Sequence, residues 1–326
     1  MNITTNEIKI GLEKVALSIR QLIADTKERN SDELSVLLSA HAWHTEAHVL
    51  YALECISHQF EQSLWLDDLP KSSKFQTNIA FLFRGQASLE GFGLLTQALF
   101  SGCHCQINVL QNECSLFSSL LERFYHVFPE LEMQVQITRG AFQRFDGLIA
   151  IGEPVKPLMA AYLNDYPVLN QTAKHKTASL KGCETSEELD LLARDICMHF
   201  GRAMGSIQHL MVPSAYDFSL LNAALNHYSG HRNHARYFNH YEYRKAAMLI
   251  NNISHIDLGH LLLTDDLSQE GYVSALVYTV YNPGDEQIFA DKKFVEVSEF
   301  GKASSDYFED STLLHEFLKK VQRAAV

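Results

Sequence analysis

Thr77-Asn78-Ile79-Ala80-Phe81-Leu82-Phe83-Arg84-Gly85-Gln86-Ala87-Ser88-Leu89-Glu90-Gly91-Phe92 is the stretch whose reading decides the fold. Residues 77–83 form a short apolar run of strand length, 84–88 are loop-like, and 89–100 carry helical spacing up to a stop at Ser101-Gly102. The same alternation continues downstream. Residues 105–110 read as a second strand, 116–128 as a helix closed by Pro129, 133–138 as a third strand, and 147–151 as a fourth strand followed by Gly152. Strands alternating with helices predict βαβ units and a parallel sheet.

Residues 1–65 read as helices. Ile8, Leu12, Val15, Ile19 and Leu22 share one helical face, Ser31-Asp32-Glu33-Leu34 resembles a helix start, and Val49, Ala52, Leu53 and Ile56 line a third helix over 45–60. A second α/β half begins near Gly182. It has helices over 185–200 (ended by Gly201), 215–228, 241–251 and 311–323, and strands over 207–212 (ended by Pro213), 260–263 and 273–281. The expectation is an α/β chain of two lobes with a crevice between them. Residues 1–180 hold the N-terminal helices and a cofactor-binding-type lobe, and residues 181–326 a catalytic-type lobe with a C-terminal tail.

Composition narrows the function. With 326 residues, 46% of them hydrophobic, the chain can bury a large core, and a formal net charge of −12 disfavours a nucleic-acid or polybasic membrane partner. No apolar run approaches the ~18 residues of a membrane span, and the N-terminal segment lacks the pattern of a signal peptide. The expected location is cytoplasmic. Cys55, Cys103, Cys105, Cys114, Cys183 and Cys197 show no CxxC spacing and read as reduced thiols.

Several segments, in order, resemble one family. Arg84-Gly85-Gln86-Ala87-Ser88-Leu89-Glu90-Gly91-Phe92 is similar to the loop Ala-Gly-Asn-Ile-Pro-Leu-Val-Gly-Phe of the LuxC-like acyl-CoA reductases, in the aldehyde dehydrogenase superfamily. Ser101-Gly102 with Ile107-Asn108-Val109 is similar to its Ser-Gly-His and Val-Lys-Leu, and Phe145 to Gly152 to its Phe-Asp-Ala-Val-Ile-Ala-Thr-Gly. Asp195-Ile196 through Phe200-Gly201, then Val212-Pro213 to Phe218, flank the family's nucleophile loop. Asn233-His234 and Asn239 to Ala246 resemble Asn-His and Asn-Asn-Tyr-Asp-Tyr-Asn-Lys-Ala, and Phe300-Gly301-Lys302-Ala303 resembles a late Phe-Gly-Lys/Gln motif. The likeness runs from Trp43 to Leu318.

The resemblance implies two Rossmann-like lobes with parallel sheets, an N-terminal helical segment, a homodimer, and reduction of a fatty acyl thioester to an aldehyde with NADPH through a cysteine thiolate. Four positions depart from it. Met204 stands at the nucleophile position, and a thioether has no ionisable proton. Gln86 replaces the oxyanion-donor Asn, Asn108 replaces a Lys that reaches the adenosine ribose or its phosphate, and Glu153 follows Gly152 where the superfamily often has Ser near the pyrophosphate. Arg84, Gly85, Asn108, Gly152 and Glu153 are therefore the candidate cofactor positions. Ser206, His234, Asn239 and Tyr243 are the candidates for the substrate crevice. Cys197 and Ser206 are the nearest substitutes for a nucleophile; the first lies about two helical turns upstream, the second lacks an evident base. With the reductase site degenerate, three roles stay open: a working acyl-CoA or aldehyde oxidoreductase that uses an unusual route, a non-catalytic binder of acyl-CoA, acyl carrier or nucleotide, and a structural partner of an active paralogue.

Three histidine or cysteine groups invite a metal. His41, His44 and His48 share a helical face, His227, His231, His234 and His240 cluster around a loop, and Cys103-His104-Cys105 enters a strand. None has the carboxylate or second thiolate pair that a ligand set needs, so no metal is expected. Tyr237, Phe238, Tyr241 and Tyr243 read as packing, with an adenine stack or acyl channel as the alternative.

Overall fold

The computed structural model describes residues 4–30, 32–38, 42–67, 69, 77–153, 163–172, 176–282, 299–301 and 311–324. Expectations placed on Ser31, His41, Lys302 and Ala303 lie outside the described residues.

The chain starts with α1 (Thr5–Lys27), α2 (Glu33–Leu38) and α3 (Glu46–Gln62). Thr4 and Glu7 form a reciprocal capping box that satisfies two amides at the start of α1. The stripe predicted from spacing is the buried one: Leu12, Val15, Ile19 and Leu22 of α1, which packs on α3, whose Val49, Ala52, Leu53 and Ile56 are buried as well. Exposed pairs between Lys9 and Asp67, Arg20 and Glu61, and Lys27 and Glu54 edge this contact and add little to it.

The first sheet contains β1 (Asn78–Phe83), β2 (His104–Asn108), β3 (Val135–Ile137), β4 (Gly147–Gly152) and β5 (Val168–Thr172), in the order β3-β2-β1-β4-β5. Every pairing is parallel. α4 (Phe92–Phe100) connects β1 to β2, and α5 (Cys114–Val127) leads from β2 towards β3. β1 and β4 sit in the middle and are buried almost throughout, which explains why they read as apolar runs without alternation. A ring cluster packs beside them: Phe117 lies 4.8 Å from Phe83 and 5.9 Å from Phe92, and Phe124 meets Phe60 edge-on at 5.2 Å.

The second sheet contains β6 (Lys176–Ser179), β7 (Ile207–Pro213), β8 (Ile256–Asp257), β9 (Leu262–Thr264) and β10 (Ala275–Tyr281), in the order β6-β7-β10-β9-β8. Only the edge pair β8–β9 is antiparallel. Its helices are α6 (Ser186–Cys197), α7 (Ser219–Leu225) and α8 (Ala235–Ile250). α6 opens on a second capping box, Thr185 with Glu188.

The chain divides into two compact units, Met1–Thr172 with Tyr307–Val326, and Ala173–Asp306. The sequence predicts a boundary at 180 with the last helix counted in the second lobe, and the resemblance implies a tail after Asp291 that returns across the lobes or to a partner subunit. That helix, α9 (Ser311–Ala324), packs instead on the first sheet: a Cβ at Gly147 of β4 would lie 2.7 Å from Val321 and 2.8 Å from Phe317. The absence of a side chain at Gly147 is what admits those two.

Other boundaries moved for local reasons. α4 begins at Phe92, not 89, because Leu89 and Gly91 hold positive φ (57° and 82°). α6 ends at Cys197, not 200, because His199 and Phe200 are left-handed. The helix expected over 215–228 is only Ser219–Leu225, followed by 3₁₀ turns over Asn226–Asn233. The helix expected from 241 starts at Ala235, with His234 as its cap. β5 and β6 went unforeseen because Val168-Leu169-Asn170-Gln171-Thr172 and Lys176-Thr177-Ala178-Ser179 are too polar and short to stand out.

Phe117→Ala would leave a void beside the Phe83 and Phe92 rings in a fully buried position. We expect a loss of about 3–5 kcal/mol, read as a lower urea midpoint at unchanged slope.

Candidate functional site

The residues singled out from the sequence fall into two sets, one in each unit. In the first unit, the oxyanion and cofactor candidates all lie at the carboxyl edge of the sheet. The strand order reverses between β1 and β4, and open α/β sheets take ligands outside such a point. Arg84, Gly85 and Gln86 follow β1, Asn108 ends β2, Gly152 ends β4, and Glu153 follows it at the surface.

Their polar groups are engaged with one another. The Arg84 guanidinium donates to the carbonyls of Phe83 (2.6 Å) and Asn108 (3.3 Å) and to the Asn108 side-chain oxygen (2.8 Å). The Asn108 side-chain nitrogen donates to the Gly140 carbonyl at 3.1 Å. Burial draws the Arg84 pKa below its ordinary value, against the opposing pull of Glu153. Gly152 has φ +88°, and a Cβ there would lie 2.3 Å from the Arg84 carbonyl oxygen. Only glycine allows that approach.

The loop over 84–91 is organised by Glu90, which the sequence reading passed over. Its buried carboxylate accepts from the Gln86 amide at 2.8 Å and the Ala87 amide at 3.5 Å. A Cβ on Gly85 would come 2.6 Å from the same oxygen. The signal was present: the resembling loop has Val where this chain has Glu, four residues after Gln86.

In the second unit, the turn that leads to Met204 is strained. His199, Phe200 and Gly201 have φ of 53°, 60° and 68° in succession. For two non-glycine residues this costs on the order of 1–3 kcal/mol each, so the surroundings must hold it. The Phe200 ring packs on His231 (4.7 Å), His234 (4.8 Å) and Tyr237 (4.9 Å), and the Gln208 side-chain nitrogen donates to the Gly201 carbonyl at 2.7 Å. Burial, with His260 and His234 beside it, drops the His231 pKa to about 3, so the ring stays neutral at physiological pH. Met204 follows in this turn, partly buried.

Neither nearby substitute is equipped to attack. Cys197 is 4% exposed at the end of α6, and burial pushes its thiol far above the usual range. The Ser206 hydroxyl is fully buried and has no hydrogen-bond partner among the described residues. An activating base would have to be such a partner.

The remaining predicted positions separate. His234 caps α8, its Nδ1 accepting from the Tyr237 amide at 3.3 Å. Asn239 and Tyr243 lie exposed on α8, and Arg244 sits 5.9 Å from the Tyr243 ring and 3.3 Å from the Tyr272 ring. His227 pairs with Asp190 at 3.2 Å, His231 faces Phe200, and His240 is on the surface. His44 pairs with buried Glu113 at 2.8 Å. Among the described residues, no group of three or more His, Cys, Asp or Glu is arranged to hold a metal ion. No helix among them is long and apolar enough to cross a membrane.

A polar network on α8 also escaped the sequence reading, although Tyr241 and Lys245 are one helical turn apart. The Tyr241 hydroxyl donates to Asp257 at 2.5 Å, the Lys245 ammonium lies 2.6 Å from the other oxygen, and the Gly259 amide donates at 2.8 Å. Burial raises the Asp257 pKa, but these three partners outweigh it and hold the carboxyl at about 2, below its ordinary 3.8.

No family model and no curated protein matches this chain. Solved structures do, and they define the class of fold. An indole-3-acetaldehyde dehydrogenase mutant of P. syringae with NAD+ and IAA superposes at a TM-score of 0.59, with 12% identity over 94% of this chain and 75% of that one. A Mycobacterium tuberculosis aldehyde dehydrogenase complexed with NAD+ gives 0.56, with 12% identity over 85% and 70%. The AldC mutant of Pseudomonas syringae with NAD+ and octanal gives 0.54, with 13% identity over 88% and 70%. The chain therefore has an α/β fold with parallel sheets close to that of aldehyde dehydrogenases. At such identities the likeness is one of fold.

Two outcomes are expected. Iodoacetamide at neutral pH should label exposed Cys183 in the native protein while Cys197 stays unmodified until denaturant is added, as read by peptide mass spectrometry. The Asp257 contribution to stability is complete above pH 3.8 and lost as the pH falls towards 2. Asp257→Asn should therefore flatten the acid limb of the unfolding curve in that window and lower stability at neutral pH.

Proposed function

We propose that this chain is a non-reducing protein on an aldehyde dehydrogenase-like frame, which does not form an acyl-enzyme. Reduction of a thioester needs a soft nucleophile, an oxyanion donor and a hydride carrier. What carries the reading is the turn over 199–206. It presents a thioether at Met204, its nearest thiol is buried and held protonated at Cys197, and its hydroxyl at Ser206 has no base among the described residues. The strained turn and the packing around Phe200 remain although the reactive group is gone. That combination suits a protein selected for its shape.

The resemblance to LuxC-like acyl-CoA reductases gives that shape a context. The chain serves beside an active paralogue as a structural partner, or holds an acyl-CoA or acyl carrier without converting it, and it pairs as a homodimer when alone. A protein partner is favoured by α8, where Phe238, Tyr243, Leu249 and Ile250 are 37%, 69%, 60% and 79% exposed on a helix that buries only three residues.

Incubating the purified chain with a long-chain acyl-CoA, with and without NADPH, tests the reading. We expect no acyl adduct in the intact mass and no aldehyde. An adduct mapped to Cys197 or Ser206, or turnover of aldehyde, would overturn it.

A further inference from the structure

The nucleotide that the fold suggests is a dinucleotide whose pyrophosphate would lie at the carboxyl edge of the first sheet. In open α/β sheets the first βα turn offers backbone amides and a helix N-terminus to such a phosphate. The turn in this chain offers neither.

We infer that the first βα turn is closed by its own carboxylate, Glu90, which takes the place an anionic ligand would fill, so that the chain holds no nicotinamide dinucleotide there. Three observations meet on this point. First, the Gln86 and Ala87 amides already donate to Glu90 at 2.8 and 3.5 Å. Second, the residues from 87 to 99, which include the start of α4, are all buried, and the entry to α4 closes on itself through Glu90 N to Ala87 O (3.4 Å) and Phe92 N to Leu89 O (3.0 Å). Third, Arg84, a cation of this edge, is turned inward: it is held by Phe83 and Asn108, while Asn108 is held by Gly140.

Charge decides the matter further. A pyrophosphate carries about two negative charges and would meet Glu90 within the turn and Glu153 just beyond β4. Like charges repel, and the burial of Glu90 strengthens the repulsion. Nor can the turn open by a small shift, because the backbone of Arg84–Gly85 rests on Gly152 and Gly85 rests on Glu90. This inference concerns the first unit and stands apart from the loss of the nucleophile in the second.

Isothermal titration of the full chain with NAD+, NADH, NADP+ and NADPH, to about 1 mM, the weak end of the affinity scale, should give no saturable binding. Saturable binding of any of the four in the micromolar range would overturn the inference. Amide exchange supplies an independent readout: Gln86 and Ala87 should be protected in the wild type and exchange at least tenfold faster in Glu90→Ala. Equal exchange in the two proteins would also overturn it. Glu90→Gln, which keeps an acceptor oxygen, should retain most of the protection. A wild-type chain that binds NADPH yet forms no acyl adduct sinks this inference alone. An acyl adduct without dinucleotide binding sinks only the reading of the second unit.

Discussion

The pairing of β1 with β4 is the constraint on which the first unit depends. The two strands are sequence-distant and parallel, and the Arg84 amide continues their ladder to the Ile151 carbonyl at 2.9 Å. Beyond that bond the backbones come closer still, and Gly152 turns left-handed to let the Arg84 carbonyl past. Everything at the carboxyl edge is measured from this contact. It fixes where the loop over 84–91 leaves the sheet, which turns Arg84 toward Asn108 and brings Glu90 beneath the Gln86 amide. Without a glycine at 152 the loop would have to lift off, and the carboxylate would lose its donors.

The second unit solves a similar problem in another way. Here the special backbone is a run of three left-handed residues, and the constraint comes from side chains packed around one ring, Phe200. Strain of this kind persists only where neighbours fix it. The histidines that looked like a metal cluster in the sequence are among those neighbours: His231 faces Phe200 in neutral form, and His234 both touches the ring and caps α8. Their chemistry is that of flat, polar-edged packing groups.

What could be read from the sequence followed a simple physical rule. Elements buried on both sides, such as β1 and β4, are apolar runs and declared themselves, as did the striped helices α1 and α3. Elements at the margins did not. β5 and β6 are polar, β8 has two residues, and the true start of α8 lies in a stretch crowded with His, Asn and Arg. The candidate site was legible as positions but not as contacts. That Met204 lacks a reactive proton is evident from its identity. That Asn108 binds Arg84, or that Glu90 closes its own loop, depends on side chains brought together by the sheet. The resemblance singles out Glu153, where the superfamily often has Ser, whereas the acid buried in the loop is Glu90.

The position of α9 has a further consequence, for the order in which the protein is made. The first unit contains both the start and the end of the chain, with the second unit inserted between them. A ribosome adding ~5–20 residues per second needs on the order of ten seconds to pass from β5 to α9. Throughout that interval Gly147 and its neighbours on β4 have no Phe317 or Val321 to cover them. The nascent first unit thus carries an uncovered patch on its central sheet until α9 has been made. Its closure must wait for α9, and a ribosome stalled in the second unit would leave a first unit that cannot finish its own core.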